Sequence, residues 1–144
     1  TGLAIDLARA AAHIDFIRPH LPYDGACGRF RALAAKYGFI QRYSREKTEL
    51  TGIACEPWHF RYVGAPHAQL MEQNGLCLEE YSIFLREMGP QQCRLAGGRV
   101  AQVLYVPCEG GQARLPDGCV QVSGDNAGGF IATVWQAAAW GCGA

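Results

Sequence analysis

Cys55-Glu56-Pro57-Trp58-His59-Phe60-Arg61-Tyr62-Val63-Gly64 is an apolar, aromatic run broken by one carboxylate and one imidazole. Trp58, Phe60, Tyr62 and Val63, with Ile53 just upstream, have the composition of a buried strand. A charged Glu in such a strand is costly unless something compensates it, and a bound cation would do so. Strict alternation turns Glu56 and His59, three residues apart, to opposite faces. Pro57 lies between them and removes a ladder donor, which predicts a bulge or bend that brings both to one side.

Upstream, Leu3, Ile5 and Leu7 alternate with Gly2, Ala4 and Asp6. This predicts a short strand that sends three aliphatics into the core. Small neighbours leave room beside Asp6 for a metal or substrate, although a strand-end Asp that caps the next turn has the same sequence. Residues from Ala8 to Phe16 form a short helix or an extended loop, and His13 and His20 within that region are expected on the surface rather than as ligands. Pro19, Pro22, Asp24 and Gly25 are turn chemistry. Phe30, Leu33, Ala34 and Tyr37 then recur at helical spacing and predict an amphipathic helix that stops at Gly38. Phe39 to Tyr43 reads as a strand and Ser44 to Glu49 as a solvated loop. Arg42 sits inside the apolar strand, where its fork suits either a peptide's terminal carboxylate or a structural salt bridge.

Downstream, Gly64-Ala65-Pro66 opens a helix that runs to Asn74-Gly75, with His67 exposed at its start. Leu78, Tyr81, Phe84, Leu85 and Met88 share the stripe of a second helix, which Gly89-Pro90 ends. From Gln91 the pattern is β: Val100 to Val106, Val120 with Val122, and Phe130 to Trp135 are the strand candidates. Ser123 to Gly129 is a hairpin loop, lacking the Lys-Ser/Thr and the following helix of a phosphate cradle. The tail from Ala137 to Ala144 specifies little.

With 144 residues and 49% hydrophobic content, the chain can build one domain with a real core. The expected fold class is α+β, an antiparallel sheet with helices packed on it. Residues 1–90 form its core and residues 91–144 a small β-rich C-terminal extension of the same domain. Lys plus Arg equals Asp plus Glu at 13 each, so no global field draws nucleic acid or an anionic membrane. No apolar run reaches the roughly 18 residues of a transmembrane segment. Seven cysteines without any Cys-x-x-Cys pair argue against a structural zinc knot. Their odd number leaves at least one thiol. Cys108 and Cys119 flank a loop and could bridge in an exported protein, but buried thiols are the plainer expectation.

Glu-Pro-Trp-His-Phe-Arg-Tyr-Val-Gly at 56–64 resembles the second signature of the VanY-type D-alanyl-D-alanine carboxypeptidases, a zinc peptidase group that also includes the VanX dipeptidases and lysostaphin-like enzymes. Gly2-Leu3-Ala4-Ile5-Asp6 matches the second half of that group's first signature, Ser-x-His-x-x-Gly-x-Ala-x-Asp. The resemblance extends over roughly residues 1 to 88, through Gly38-Phe39-Ile40, Arg42-Tyr43, Thr51-Gly52 and Leu78-Glu79-Glu80-Tyr81. It implies Asp6 and His59 as Zn2+ ligands, with a further ligand His before Thr1, and Glu56 as general base on water that zinc acidifies. A Glu56 that only orients His59 is the alternative. Arg42 and Trp58 are expected to contact substrate. The implied activity is removal of the terminal D-Ala from peptidoglycan stem peptides or precursors ending in D-Ala-D-Ala, in ordinary wall trimming or in vancomycin resistance. A D-Ala-D-Ala dipeptidase, an L,D-carboxypeptidase and a cell-wall peptide-binding module without turnover are the rivals. Such a protein is expected outside the cytoplasm or at the membrane, with the cytoplasm as the other location.

Overall fold

Among the described residues the α-helices and strands follow one another as β1 (Ala4–Asp6), α1 (Gly25–Ala34), β2 (Phe39–Tyr43), α2 (Thr48–Thr51), β3 (Glu56–Tyr62), α3 (Ala65–Asn74), α4 (Leu78–Met88), β4 (Gln91–Arg94), β5 (Val100–Pro107), β6 (Val120–Gly124) and β7 (Gly129–Trp135). The structure, a computed structural model, describes residues 2–118 and 120–136. Helices and two antiparallel sheets make up the α+β class that the sequence predicts. The chain divides into two units, with the boundary between Glu79 and Glu80, inside α4.

The first unit is built on a three-stranded sheet in the order β1-β3-β2. Phe60, on the central strand, is 2% exposed and is clustered with Leu21 and Ala34. Leu7, Cys27, Phe30, Phe39 and Trp58 pack against that cluster, and the Phe30 and Phe60 rings meet edge to face at 4.9 Å. Such ring pairs favour this geometry because the positive edge of one meets the negative face of the other. Burial of this kind contributes about 1.5–3 kcal/mol per large apolar side chain, which is what holds α1 to the sheet.

Gly38 closes the turn between the 3-10 continuation of α1, Ala35–Tyr37, and β2. Its φ is +89°, and a Cβ there would lie 2.9 Å from the backbone of both Gly64 and Ala65, so only glycine fits. The Gly38 carbonyl accepts from the amides of Val63 and Gly64, which ties the start of β2 to the end of β3.

Leu3 and Ile5 do not enter the core: they are 41% and 37% exposed, and of the three aliphatics only Leu7 packs on the cluster. The reason is position, since β1 is three residues long and lies at the sheet's edge. On the predicted helix, Leu33 and Tyr37 are exposed, while Phe30 and Ala34 carry the packing. The stretch read as a solvated loop after Tyr43 is instead coiled into a 3-10 turn, Arg45–Lys47, followed by α2.

The second unit carries a four-stranded antiparallel sheet in the order β4-β5-β7-β6. Ala101 and Val103 of β5, with Thr133 paired to Val103, are buried on one face of this sheet, and Val106 of β5 and Ala132 of β7 are buried on the other. In α4, Tyr81 and Leu85 are buried but Met88, expected on the same stripe, is 65% exposed at the helix end. Asp125 shapes the loop between β6 and β7: its Oδ1 accepts from the amides of Ala127 and Gly129, both at 2.8 Å. Cys27, Cys55, Cys77, Cys93 and Cys108 are thiols rather than half-cystines. Cys119, the bridge partner considered for Cys108, lies outside the described residues, as do Cys142 and the 137–144 tail.

His67, expected to be exposed at the start of α3, is half-buried, and burial pushes its pKa down to about 4. The unfolded chain takes up this proton near pH 6.5 and the folded chain only near 4. The contribution is therefore fully present above about 6.5 and is lost as pH falls towards about 4. Urea unfolding between pH 7 and pH 4.5 should show stability declining with acidity, and His67→Asn should flatten that decline.

Candidate metal centre on the central strand

The register of β1 against β3 pairs Ala4 with Arg61, Ile5 with Phe60 and Asp6 with His59. Directly opposed residues of an antiparallel pair project to the same face, so the acid and the imidazole meet. The His59 Nδ1–H donates to Asp6 Oδ1 at 2.7 Å. Fifty-three positions of sequence separate the two, and the pairing of one short strand closes that gap.

Glu56 joins them because β3 is irregular. Against β2, Gln41 pairs with Phe60 and Tyr43 with Glu56, so two steps along β2 are matched by four along β3. The extra residues fall at Pro57, Trp58 and His59, where Pro57 predicts a bulge. Strict alternation is broken there, and Glu56 Oε2 comes to 3.8 Å from His59 Nδ1. The side chains of His59, Glu56 and Asp6 are 24%, 31% and 51% exposed, so the group is open to a ligand from solvent.

The donor chemistry fits zinc. One imidazole nitrogen and one carboxylate oxygen converge, and a cation held by both would displace the proton they share. Among the described residues no set of three His, Cys, Asp or Glu side chains converges as a complete metal site. His13 and His20, both exposed, are not brought to the pair.

The two residues expected to contact substrate are placed differently. Arg42 directs both terminal nitrogens at Glu79, at 3.0 and 2.5 Å, and stacks its guanidinium over the Tyr43 ring at 4.8 Å. The two-pronged contact foreseen for a substrate carboxylate is thus occupied by a protein carboxylate. Burial pushes the Glu79 carboxyl up, but the Arg42 hydrogen bond and charge outweigh it and hold the carboxyl below its ordinary value. Trp58 is half-buried and packs against the core cluster of Leu21, Ala34 and Phe60, two residues from Phe60 and so on the same face of β3.

Two residues that the sequence did not single out stand close to the site. The Tyr43 ring lies 5.2 Å from the His59 ring, and Arg31 donates to the carbonyl of Pro57 at 2.7 Å. The Arg42–Glu79 pair is partly exposed, so R42M and E79Q should each lower the unfolding free energy by about 1 kcal/mol or less. R42M should leave KM for a peptide substrate unchanged. A rise in KM without loss of stability would return the Arg42 fork to the substrate.

The family model for VanY D-alanyl-D-alanine carboxypeptidase matches residues 1–65. A D-alanyl-D-alanine carboxypeptidase of Enterococcus faecium is 41% identical over 103 residues, 71% of this chain and 34% of that protein. The bifunctional D-Ala-D-Ala dipeptidase and carboxypeptidase VanXYC of Enterococcus gallinarum is 45% identical over 87 residues, 60% of this chain and 46% of that one. The chain thus spans between a third and a half of these relatives. Among solved structures, the vancomycin-resistance D,D-dipeptidase VanXYg, in complex with a D-Ala-D-Ala phosphinate analogue, superposes with a TM-score of 0.84 at 47% identity. That match takes in 94% of this chain and 57% of VanXYg. By sequence and by fold, this chain is similar to the VanY-type D-alanyl-D-alanine carboxypeptidases, and the family-model match takes in the strands that carry Asp6, Glu56 and His59.

Proposed function

We propose that the chain is the zinc-binding part of a D,D-carboxypeptidase that releases the terminal D-Ala of peptidoglycan stem peptides or precursors ending in D-Ala-D-Ala. The observation that carries this is the 2.7 Å meeting of His59 Nδ1 and Asp6 Oδ1 beside Glu56, inside the segment matched by the VanY family model.

When bound, Zn2+ acidifies the attacking water and polarises the scissile carbonyl. Asp6 and His59 would hold it. A catalytic zinc ordinarily takes three protein ligands, so a third donor belongs to this proposal. Glu56 takes the proton of the attacking water through its carboxylate and returns it to the departing amine, the two-way use of one carboxylate in general acid–base catalysis. With 31% of its side chain exposed, Glu56 has solvent access for that exchange.

A second reading, hydrolysis of the D-Ala-D-Ala dipeptide itself, is favoured by the likeness to the D,D-dipeptidase VanXYg. Comparing D-Ala release from a pentapeptide and from the dipeptide decides between them. A site of action outside the cytoplasm or at the membrane surface is part of the same proposal and is checked by cell fractionation.

Glu56→Gln should keep zinc affinity within a fewfold while turnover falls by about 10²–10⁴, the range of a lost general base. Asp6→Asn should instead lose zinc. Near-normal D-Ala release by the Glu56 variant would remove the base role and leave Glu56 as a partner that orients His59.

A further inference from the structure

Arg31 lies on α1, a helix that contributes no residue to the metal centre, yet its guanidinium reaches the strand that does. Nη2 donates to the Pro57 carbonyl at 2.7 Å and to the Leu21 carbonyl at 2.9 Å. Nη1 donates to Gln41 Oε1 at 2.8 Å, and Nε to the Pro22 carbonyl at 3.2 Å. The plane of the group is held on aromatic rings as well, 4.1 Å from the centre of Tyr23 and 5.7 Å from that of Phe60. Four of its five N–H groups are thereby committed to four different residues.

Three of these partners, Pro57, Gln41 and Phe60, bear on the same short piece of backbone, while Leu21, Pro22 and Tyr23 belong to the stretch before α1. Pro57 falls in the part of β3 that the β2 register skips, between the Phe60 and Glu56 pairings. Gln41 is the last β2 residue paired before the irregularity, and its side-chain amide also donates to the Tyr43 carbonyl at 3.4 Å. Phe60 follows His59 directly. A ladder that loses its regular pairing has no backbone reason to keep one shape, so the bulge needs a partner from elsewhere to hold it. Arg31 supplies it from the core side, with a charged fork whose rigid geometry a lysine does not reproduce.

We propose that Arg31 is a positioning residue for the proposed metal centre: by gripping the Pro57 carbonyl from α1 it fixes the β3 bulge that sets Glu56 and His59 against Asp6. Arg31 touches none of the reacting groups and acts only through Pro57. The inference rests on the hydrolase reading for its catalytic consequence, but not for its structural one, which is the fixed geometry of the His59–Asp6 contact.

R31M keeps much of the apolar stem and removes every donor, while R31K keeps the charge and can satisfy one carbonyl at a time. In R31M the chain should remain folded by far-UV circular dichroism. The His59 Nδ1–H proton resonance, expected to be sharp in the zinc-free wild type, should broaden or vanish. Zinc affinity by chelator competition should fall about 10- to 100-fold, as for loss of a residue that orients a ligand. kcat should fall at least about tenfold while KM changes less than about threefold, because the substrate's own contacts are untouched. R31K should lie between R31M and wild type on each readout.

A folded R31M with the His59 resonance and zinc affinity within twofold of wild type would overturn the proposal. Unfolding of both variants would do so too, by making Arg31 a general support of the unit. A wild-type chain that neither binds zinc nor releases D-Ala would overturn the hydrolase reading alone, and the His59 resonance would still decide the role of Arg31.

Discussion

An acid on a three-residue edge strand faces an imidazole on the central strand, and the chemistry proposed for this chain depends on that one cross-strand pair. Asp6 and His59 are far apart in sequence, and neither is held by its own neighbours. What joins them is antiparallel register: Ile5 opposite Phe60 sets the spacing, and the next pair must then be Asp6 and His59. A shift of one residue would turn Asp6 to the other face, because side chains alternate with a period of two. The backbone bonds from Tyr62 N–H to the Leu3 carbonyl and from Leu7 N–H to the Trp58 carbonyl bracket the pair at both ends and resist that slip.

The bulge in β3 is the second constraint, and it works against regularity. A regular strand would separate Glu56 from His59. An irregular one brings them to 3.8 Å but gives up ladder bonds, and the backbone there is stabilised by groups outside the sheet. Arg31 holds it from the core side, and Trp58 anchors it by packing beside Phe60. One apolar cluster therefore both folds the unit and shapes the strand that bears the candidate ligands. This coupling is how a half-exposed polar group can rest on a rigid foundation without itself being buried.

The second unit uses the same means for a different end. Its sheet buries small and branched side chains on both faces of β5 and β7, and Asp125 closes the glycine-rich loop between β6 and β7 with its own carboxylate oxygen. The side chain of Asp125 is fully shielded, with its second oxygen 3.6 Å from Arg86, whose guanidinium also stacks 4.6 Å from the Tyr105 ring. Burial pushes this carboxyl up, while the two loop amides and Arg86 pull it further down, below its ordinary value. A loop that composition alone marks as pliant thus carries a definite internal cap.

Local patterns decided a good deal by themselves. Branched and aromatic residues with turn chemistry at their ends marked β2, β3, β5 and β7, glycines marked the ends of α1 and α3, and the paired motifs around Asp6 and His59 pointed to one site. Pro57 marked the bulge, because a residue without an amide hydrogen must interrupt a ladder. Burial was less legible, since it depends on what lies across the chain. Leu3 and Ile5 alternate as core residues do, yet they lie at an edge, and His67 sits at a helix start, yet it is half-buried. Partner choice was not legible at all. Arg42 inside an apolar strand suits a substrate as well as the more ordinary salt bridge, and nothing in the local sequence sets Arg31 apart from Arg29 two residues before it. Sequence spacing constrains residues within one element, where the backbone repeat fixes direction; which carboxylate, carbonyl or ring a long side chain finally meets is set by contacts between elements, and only the tertiary fold decides those.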